Sequence, residues 1–270
     1  MWLNDLYHML DPIALSVGPL TIRWYGLAYL CGFIAAGIVL YRVARRWHID
    51  VTVDEVVTLM TGLACGVIIG GRLGYVIFYG KGYYLEHPLS IIMLNEGGMS
   101  FHGGLIGDVV GTCLANLSLG LSFATVADLI AIGAPIGLCL GRCANFVNGE
   151  LWGKETTLPW GVMFDDTGGG AVYRHPSQLY EALLEGVVLF CIQYALSRKE
   201  PPLPQGTFVG SFLLFYGIFR FLIEFVRLPD AQMGYLAWGW LTMGQVLSVP
   251  LVVAGIVMLV LAHKRNVPQH

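Results

Sequence analysis

IGLCLGRCANFVNGELWG, residues 136–153, is an apolar run that ends in a crowd of polar groups. Arg142 stands inside its apolar part. A guanidinium at bilayer depth is costly, so it is retained for a task and faces protein or a polar ligand instead of acyl chains. A second run, LLFYGIFRFLIEF at 213–225, is built the same way around Arg220. Guanidinium is a rigid fork of donors suited to phosphate or carboxylate. Two such groups in two apolar helices point to an enzyme or carrier that handles an anionic group at a membrane.

Composition agrees. Of 270 residues, 56% are hydrophobic and 12% charged, against roughly 25% charged in soluble domains. The mean hydropathy is +0.67. A net charge of −3 leaves no basic surface for nucleic acid. The six cysteines (Cys31, Cys65, Cys113, Cys139, Cys143 and Cys191) lie in apolar stretches without CxxC spacing, so they read as small core residues. No metal site and no cofactor is suggested. The N-terminal MWLNDLYHMLDP lacks a basic n-region and a cleavage site; it reads as a short helix lying in the interface.

A spanning helix needs roughly 20 mostly apolar residues. Seven segments qualify, at about 20–41, 55–78, 98–118, 123–143, 178–197, 206–227 and 240–262. The fold expected is an all-α polytopic membrane protein with about seven transmembrane helices, one integral membrane domain over 1–270. Basic clusters follow spans one (Arg42, Arg45, Arg46), five (Arg198, Lys199) and seven (Lys264, Arg265). With odd numbering these fall on one side, the cytoplasm by the positive-inside rule, so the N-terminus is outside and the C-terminus inside. Two larger segments then lie outside, at about 79–97 and 144–176. The second, with DDTGGG at 165–170 and alternation at Trp160, Val162 and Phe164, reads as a small extracytoplasmic head with short strands.

The chemistry collects at a few places. In 141–153, Arg142 can pair with an anion, Asn145 and Asn148 can donate to oxygens, and Glu150 can hold an arginine or accept a proton. Gly141, Gly149 and Gly153 would let backbone approach a ligand. The bland alternative is a capped helix end with a snorkelling arginine. Tyr216, Arg220 and Glu224 stand at i, i+4 and i+8, a polar stripe that lipid cannot satisfy. It serves either ligand binding or an Arg220–Glu224 tie between helices. His102, in GGMSFHGG at 97–104, has glycine pairs leaving space beside it, and is either a general base or a structural hydrogen-bond partner. In RHPSQLYE at 174–181, Pro176 and Ser177 suit a helix start, with Ser177 as cap. Glu181 and Glu185 follow in an apolar helix and need partners. Tyr25 is a belt residue or a site residue. Arg72 and Asp128 are intramembrane charges with no assigned partner.

These stretches resemble a known family. GRxANFxNxExxG at 141–153, GGMSFHGG at 97–104, RHPSQLYE at 174–181 and RFLIEFVRLPDAQ at 220–232 are similar, in order and over nearly the whole chain, to the motifs of bacterial phosphatidylglycerol–prolipoprotein diacylglyceryl transferases. The resemblance implies transfer of a diacylglyceryl group from phosphatidylglycerol to the lipobox cysteine of a preprolipoprotein signal peptide, with a thioether formed and glycerol 1-phosphate released. It implies a multi-pass protein of the bacterial inner membrane with membrane lipid as partner. The implied site contains Tyr25, His102, Arg142, Asn145, Glu150, Gly153, Tyr216, Arg220 and Glu224. In that reading Arg142 and Arg220 hold the phosphate, His102 takes the thiol proton or positions the thiol, and Tyr216 or Tyr25 orients the lipid. Asn145 and Glu150 fix Arg142 and the glycerol hydroxyls, with Asn148 beside them. The rival class is an anion or lipid carrier that uses the same arginines.

Overall fold

A computed structural model describes residues 2–18, 20–93, 97–229 and 234–270. Part of the expected outer segment (residues 94–96) and the end of the 220–232 run (residues 230–232) lie outside the described residues. In chain order come α1 (Trp2–Tyr7), β1 (Ile13–Val17), β2 (Leu20–Arg23), α2 (Trp24–Arg46), α3 (Val53–Tyr79), α4 (Tyr83–Glu86), a 3-10 turn (Pro88–Ile92), α5 (Phe101–Leu119) and α6 (Phe123–Val147). There follow β3 (Val162–Met163), β4 (Tyr173–Arg174), α7 (Ser177–Glu181), a π-helical stretch (Ala182–Val188), α8 (Leu189–Ser197), α9 (Thr207–Ile223) and α10 (Met243–Arg265). The chain packs as two compact units, Met1–Val43 with Ala127–Gln269, and Ala44–Val126 with His270.

The protein is mostly helical, with a helix at each of the seven apolar segments. Five are long and apolar enough to cross a membrane: Trp24–Arg46, Val53–Tyr79, Phe123–Val147, Ser177–Ser197 and Met243–Arg265. The others are Phe101–Leu119 and the 17-residue Thr207–Ile223. Two boundaries differ from expectation. The first segment begins as a strand, because Leu20–Arg23 pairs antiparallel with Ile13–Val17 and the helix starts only at Trp24. The sixth stops at Ile223, since the next residues turn to meet the 153–154 backbone: Lys154 N–H donates to Val226 O at 2.8 Å.

In the first unit, a small non-helical segment after α6 is built on the β3–β4 pair, with Val162 opposite Arg174 and Met163 opposite Tyr173. Its core is Leu3, Tyr7, Phe146, Val162 and Phe164, with Trp152 and Leu179 against it. The expected N-terminal helix exists, yet protein takes one of its faces. Leu3 and Tyr7 are buried while Trp2 and Leu6 stay exposed. Asn4 Oδ1 accepts from Met163 N at 2.8 Å, and the Tyr7 hydroxyl donates to Asp166 at 3.0 Å. Asp128 of α6 caps α9, accepting from Gly206, Phe208 and Val209 N–H at 2.8, 3.1 and 2.9 Å, and also from Gln269 Nε2 at 2.8 Å. A carboxylate at a helix N-terminus satisfies orphan amides and the dipole at once.

In the second unit, α3 and α5 touch backbone to backbone. A Cβ on Gly62 would meet Ala115 Cβ at 2.8 Å and Gly111 O at 2.9 Å, and Gly66 and Gly107 are as tightly opposed. Small residues permit such close approach where no hydrophobic effect drives helices together. The buried Arg72 donates to the carbonyls of Ile91 (2.8 Å), Met93 (3.1 Å) and Gly98 (3.1 Å), and also to those of Ser90 and Gly97. It is a clamp on the segment that leads into α5. The cysteines are free and, Cys139 apart, exposed on helix surfaces instead of in the core.

Candidate active site

The polar stripe of α9 meets the charges of α7 inside the first unit. Arg220 and Glu224 form an i,i+4 ion pair, and Arg227 follows three residues later with Nε 3.9 Å from Glu224 Oε1. Glu181 enters from α7 with a wholly buried side chain and meets three guanidiniums. Its Oε2 lies 2.6 Å from Arg142 Nε, and its Oε1 lies 3.5 Å from Arg220 Nη1 and 3.3 Å from Arg227 Nη1. Arg142 and Arg220, from separate helices, therefore converge on one carboxylate. Their side chains keep 19% and 15% of their surface exposed, while that of Glu181 keeps 0%. The carboxylate lies between the two forks, and part of each fork remains exposed.

One turn further along, Glu185 is also buried, 3.9 Å from Arg142 Nη2, and neither carboxylate oxygen has a hydrogen bond among the described residues. It sits in the π-helical stretch, a local widening that often marks functional positions. Tyr216 stands one turn before Arg220, lies in the electrostatic field of Glu185, Arg220, Arg142 and Glu181, and stacks on Phe212 with ring centroids 5.6 Å apart. Glu224 is further held by the Thr242 hydroxyl, which donates to its Oε2.

Beyond Arg142 the end of α6 supplies a second polar group. Glu150 Oε1 accepts from Asn145 Nδ2 at 2.7 Å and from Asn148 Nδ2 at 3.3 Å. Tyr25 joins it, with its hydroxyl 3.1 Å from Tyr29 Oη and within reach of Asn145 and Glu150. Tyr25, Asn145, Asn148 and Glu150 are thus brought together. One expectation needs correction. Glu150 holds amides, and the carboxylate beside Arg142 is Glu181. Asn145 and Asn148 donate to oxygens as expected, each with one N–H to Glu150.

Glycines expected to make room for ligand mostly make room for protein. A Cβ on Gly153 would lie 2.6 Å from both His175 Cβ and Val226 O. Gly149 has φ +65°, a left-handed conformation, and faces Tyr7 and Thr167. Gly141 alone of the three has open space. Around His102, Gly97 and Gly98 take φ of +76° and +81° to turn the chain, while Gly103 packs on Gly70 and Gly74. His102 itself is exposed on the first turn of α5, in the second unit, with its ring edge-on to Phe101. Ser177 does not cap α7, because its hydroxyl donates to Leu151 O at 3.0 Å.

Sequence alone gives Glu181 and Glu185 no partner and places Gln178 one turn from Glu181; Arg227 is the member of the cluster that it does not mark. Arg227 was detectable: with Arg220 and Glu224 it stands at i, i+4 and i+7, a single helical face.

Comparison with known proteins gives the family. A family described as prolipoprotein diacylglyceryl transferase matches residues 12–261. The chain belongs to the prolipoprotein diacylglyceryl transferase family. Similar relatives include a phosphatidylglycerol–prolipoprotein diacylglyceryl transferase of Pseudomonas aeruginosa, 51% identical over 263 residues and 97% of each chain. Another, from Geobacter sulfurreducens, is 50% identical over 96% of this chain and 97% of its own. A third, from Solidesulfovibrio magneticus, is 52% identical over 92% of this chain and 93% of its own. The part of the chain matched by the transferase family contains the whole carboxylate–guanidinium cluster and His102.

Proposed function

We propose that this protein transfers the diacylglyceryl group of phosphatidylglycerol to the lipobox cysteine thiol of preprolipoproteins, releasing glycerol 1-phosphate. The observation that carries the site assignment is the convergence of Arg142 and Arg220 on buried Glu181 with part of each guanidinium still exposed. The protein is a multi-pass resident of the bacterial inner membrane. We read all seven long helical segments as spans, with the basic ends at Arg42–Arg46, Arg198–Lys199 and Lys264–Arg265 in the cytoplasm. The segment 144–176 is then the extracytoplasmic head and the N-terminus lies outside.

The reaction is a displacement at the glyceryl CH2 that bears the phosphate. The thiol sulfur forms the new C–S bond, and the C–O electron pair leaves with the phosphate. A thiol attacks as thiolate, and His102 accepts its proton. The departing phosphate gains negative charge, which Arg142 and Arg220 stabilise from pre-set positions in a low-dielectric site. Tyr216 and Tyr25 orient the lipid, and Asn145, Asn148, Glu150 and Glu224 shape the headgroup end. Gly153 acts by allowing close backbone packing there.

The test is incubation of purified protein with phosphatidylglycerol and a lipobox peptide. The expected result is glycerol 1-phosphate release together with a peptide heavier by one diacylglyceryl group. Folded protein that binds the lipid and releases nothing would instead support a carrier using the same arginines.

A further inference from the structure

Two side-chain amides near Glu150, one buried and one half-buried, have their orientation settled by their partners. Gln178 is fully buried, and its Nε2 donates to the Glu150 carbonyl at 2.6 Å. Asn148 Nδ2 donates to the Glu150 carboxylate at 3.3 Å. Carbonyl and carboxylate oxygens only accept, so each side chain must turn its NH2 toward Glu150. The opposite atoms, Gln178 Oε1 and Asn148 Oδ1, are buried and have no hydrogen-bond partner among the described residues. Buried acceptors without donors are rare and costly, and two around one residue call for an explanation.

Their height in the fold supplies it. Gln178 precedes Glu181 by three residues on α7, and Asn145, which shares Glu150 with Asn148, follows Arg142 by three on α6. Arg142 and Glu181 are themselves paired at 2.6 Å. The amide layer therefore lies about one helical turn, roughly 5 Å, beyond the guanidinium layer. That separation is close to the reach from a phosphorus atom to the hydroxyls of an esterified glycerol.

We propose that Gln178 Oε1 and Asn148 Oδ1 are the acceptors for the headgroup glycerol hydroxyls, and that Gln178 is a specificity-determining residue for hydroxyl-bearing headgroups. This rests on the reading that phosphatidylglycerol phosphate sits at Arg142 and Arg220. Both oxygens are enclosed, the condition under which a site built to meet a hydroxyl most strongly rejects an analogue lacking it.

The experiment compares phosphatidylglycerol with a phosphatidylpropanol of the same acyl chains, which keeps the phosphodiester and lacks both hydroxyls. The readout is the ratio of kcat/KM for the two lipids, with a lipobox peptide as acceptor. Wild type should favour phosphatidylglycerol by at least about 100-fold. Gln178→Met removes the acceptor, and should shrink the ratio about 10-fold or more. Gln178→Glu keeps acceptor oxygens, and should preserve a preference. Loss of the tether to Glu150 alone would slow both lipids equally, so an unchanged ratio in Gln178→Met overturns the inference. If that variant does not fold, Asn148→Leu is read the same way. A wild type that accepts both lipids equally also overturns it. A wild type that releases no glycerol phosphate from phosphatidylglycerol would instead defeat the parent reading.

Discussion

Glu181 pairs with Arg142 on its Nε side, with Nε 2.6 Å from Oε2 in an ion pair that is not aligned as a hydrogen bond. That leaves the terminal Nη pair of Arg142 for other work, one of them 3.9 Å from Glu185. A carboxylate that anchors one side of a guanidinium fixes its plane and spends little of its donor capacity. The same Glu181 also touches Arg220 and Arg227, so together with Glu224 and Glu185 it holds three cations that would otherwise repel one another.

Glu181→Gln should therefore disable the enzyme without touching substrate directly. Breaking a buried ion pair costs about 3–5 kcal/mol because the partner charge is stranded, and here three partners are affected. The expected outcome is a lower melting temperature together with loss of glycerol phosphate release. Full turnover with unchanged stability would show that the arginines are positioned by other groups.

Arg142→Ala and Arg220→Ala should each reduce kcat by about 10²–10³, the range for removing one preset donor to a developing anion. Because both residues lean on Glu181, their effects should not multiply. The double variant is expected to lose much less than the product of the single losses. Arg142→Lys should recover little, since an ammonium cannot offer an edge to Glu181 and a fork to phosphate. Parallel single-turnover rates on the four proteins test this.

His102→Gln should lose turnover while binding phosphatidylglycerol as wild type does. Among the described residues its ring is exposed and meets Phe101, so glutamine should leave the fold intact. Near-normal turnover across pH in a folded His102→Gln protein would remove it as the base and leave thiol activation to the arginine field.

Much of this arrangement was legible before any coordinates. Charges in apolar helices named Arg142, Arg220 and Glu224, because lipid forces such groups inward whatever the fold. Partners were harder to read. The pairing of Arg142 with Glu181 in place of Glu150 depends on which helices face each other, and sequence spacing reports only neighbours on one helix. The glycines misled for a related reason. Gly153 and Gly103 look like room for a substrate, yet the space is filled by backbone distant in sequence. Strand β2 was absorbed into the first apolar segment because Leu20 and Ile22 lead into the apolar helix without a turn signal between them.

Gly153→Ala should destabilise the protein with little direct effect on chemistry. Its new methyl would sit 2.6 Å from His175 Cβ and Val226 O. The Gly153 N–H also donates to His175 O at 2.8 Å, so the strand cannot simply move away. Overpacking of this kind costs typically about 1–3 kcal/mol. A melting temperature within a degree of wild type would show that the 153–154 backbone has more freedom than its contacts suggest.

The docking of α1 on the head should depend on pH from both directions. His8 Nε2 and Asp165 Oδ1 are 3.0 Å apart, and His8 Nδ1 bonds the Asn4 carbonyl at 2.9 Å. The Asn4 carbonyl, then Asp165, raise the His8 pKa above its ordinary 6.5. The His8 hydrogen bond, first among the causes, lowers that of Asp165 below its ordinary 3.8. A raised histidine contributes stability that is complete below its unfolded value and is lost as pH climbs through its folded one. A depressed aspartate contributes above its unfolded value and loses it as pH falls through its folded one. The contact is therefore fullest between 3.8 and 6.5. Burial pushes the Tyr7 phenol up to about 12, so its donation to Asp166 persists throughout. Hydrogen-exchange protection factors for residues 2–8 should be highest near pH 5–6 and fall on either side, by a small amount because the pair is exposed. His8→Ala should flatten the alkaline side and leave protection through Tyr7. Protection that stays constant from pH 5 to 9 in the wild type would mean that the Leu3 and Tyr7 packing alone holds the helix in place.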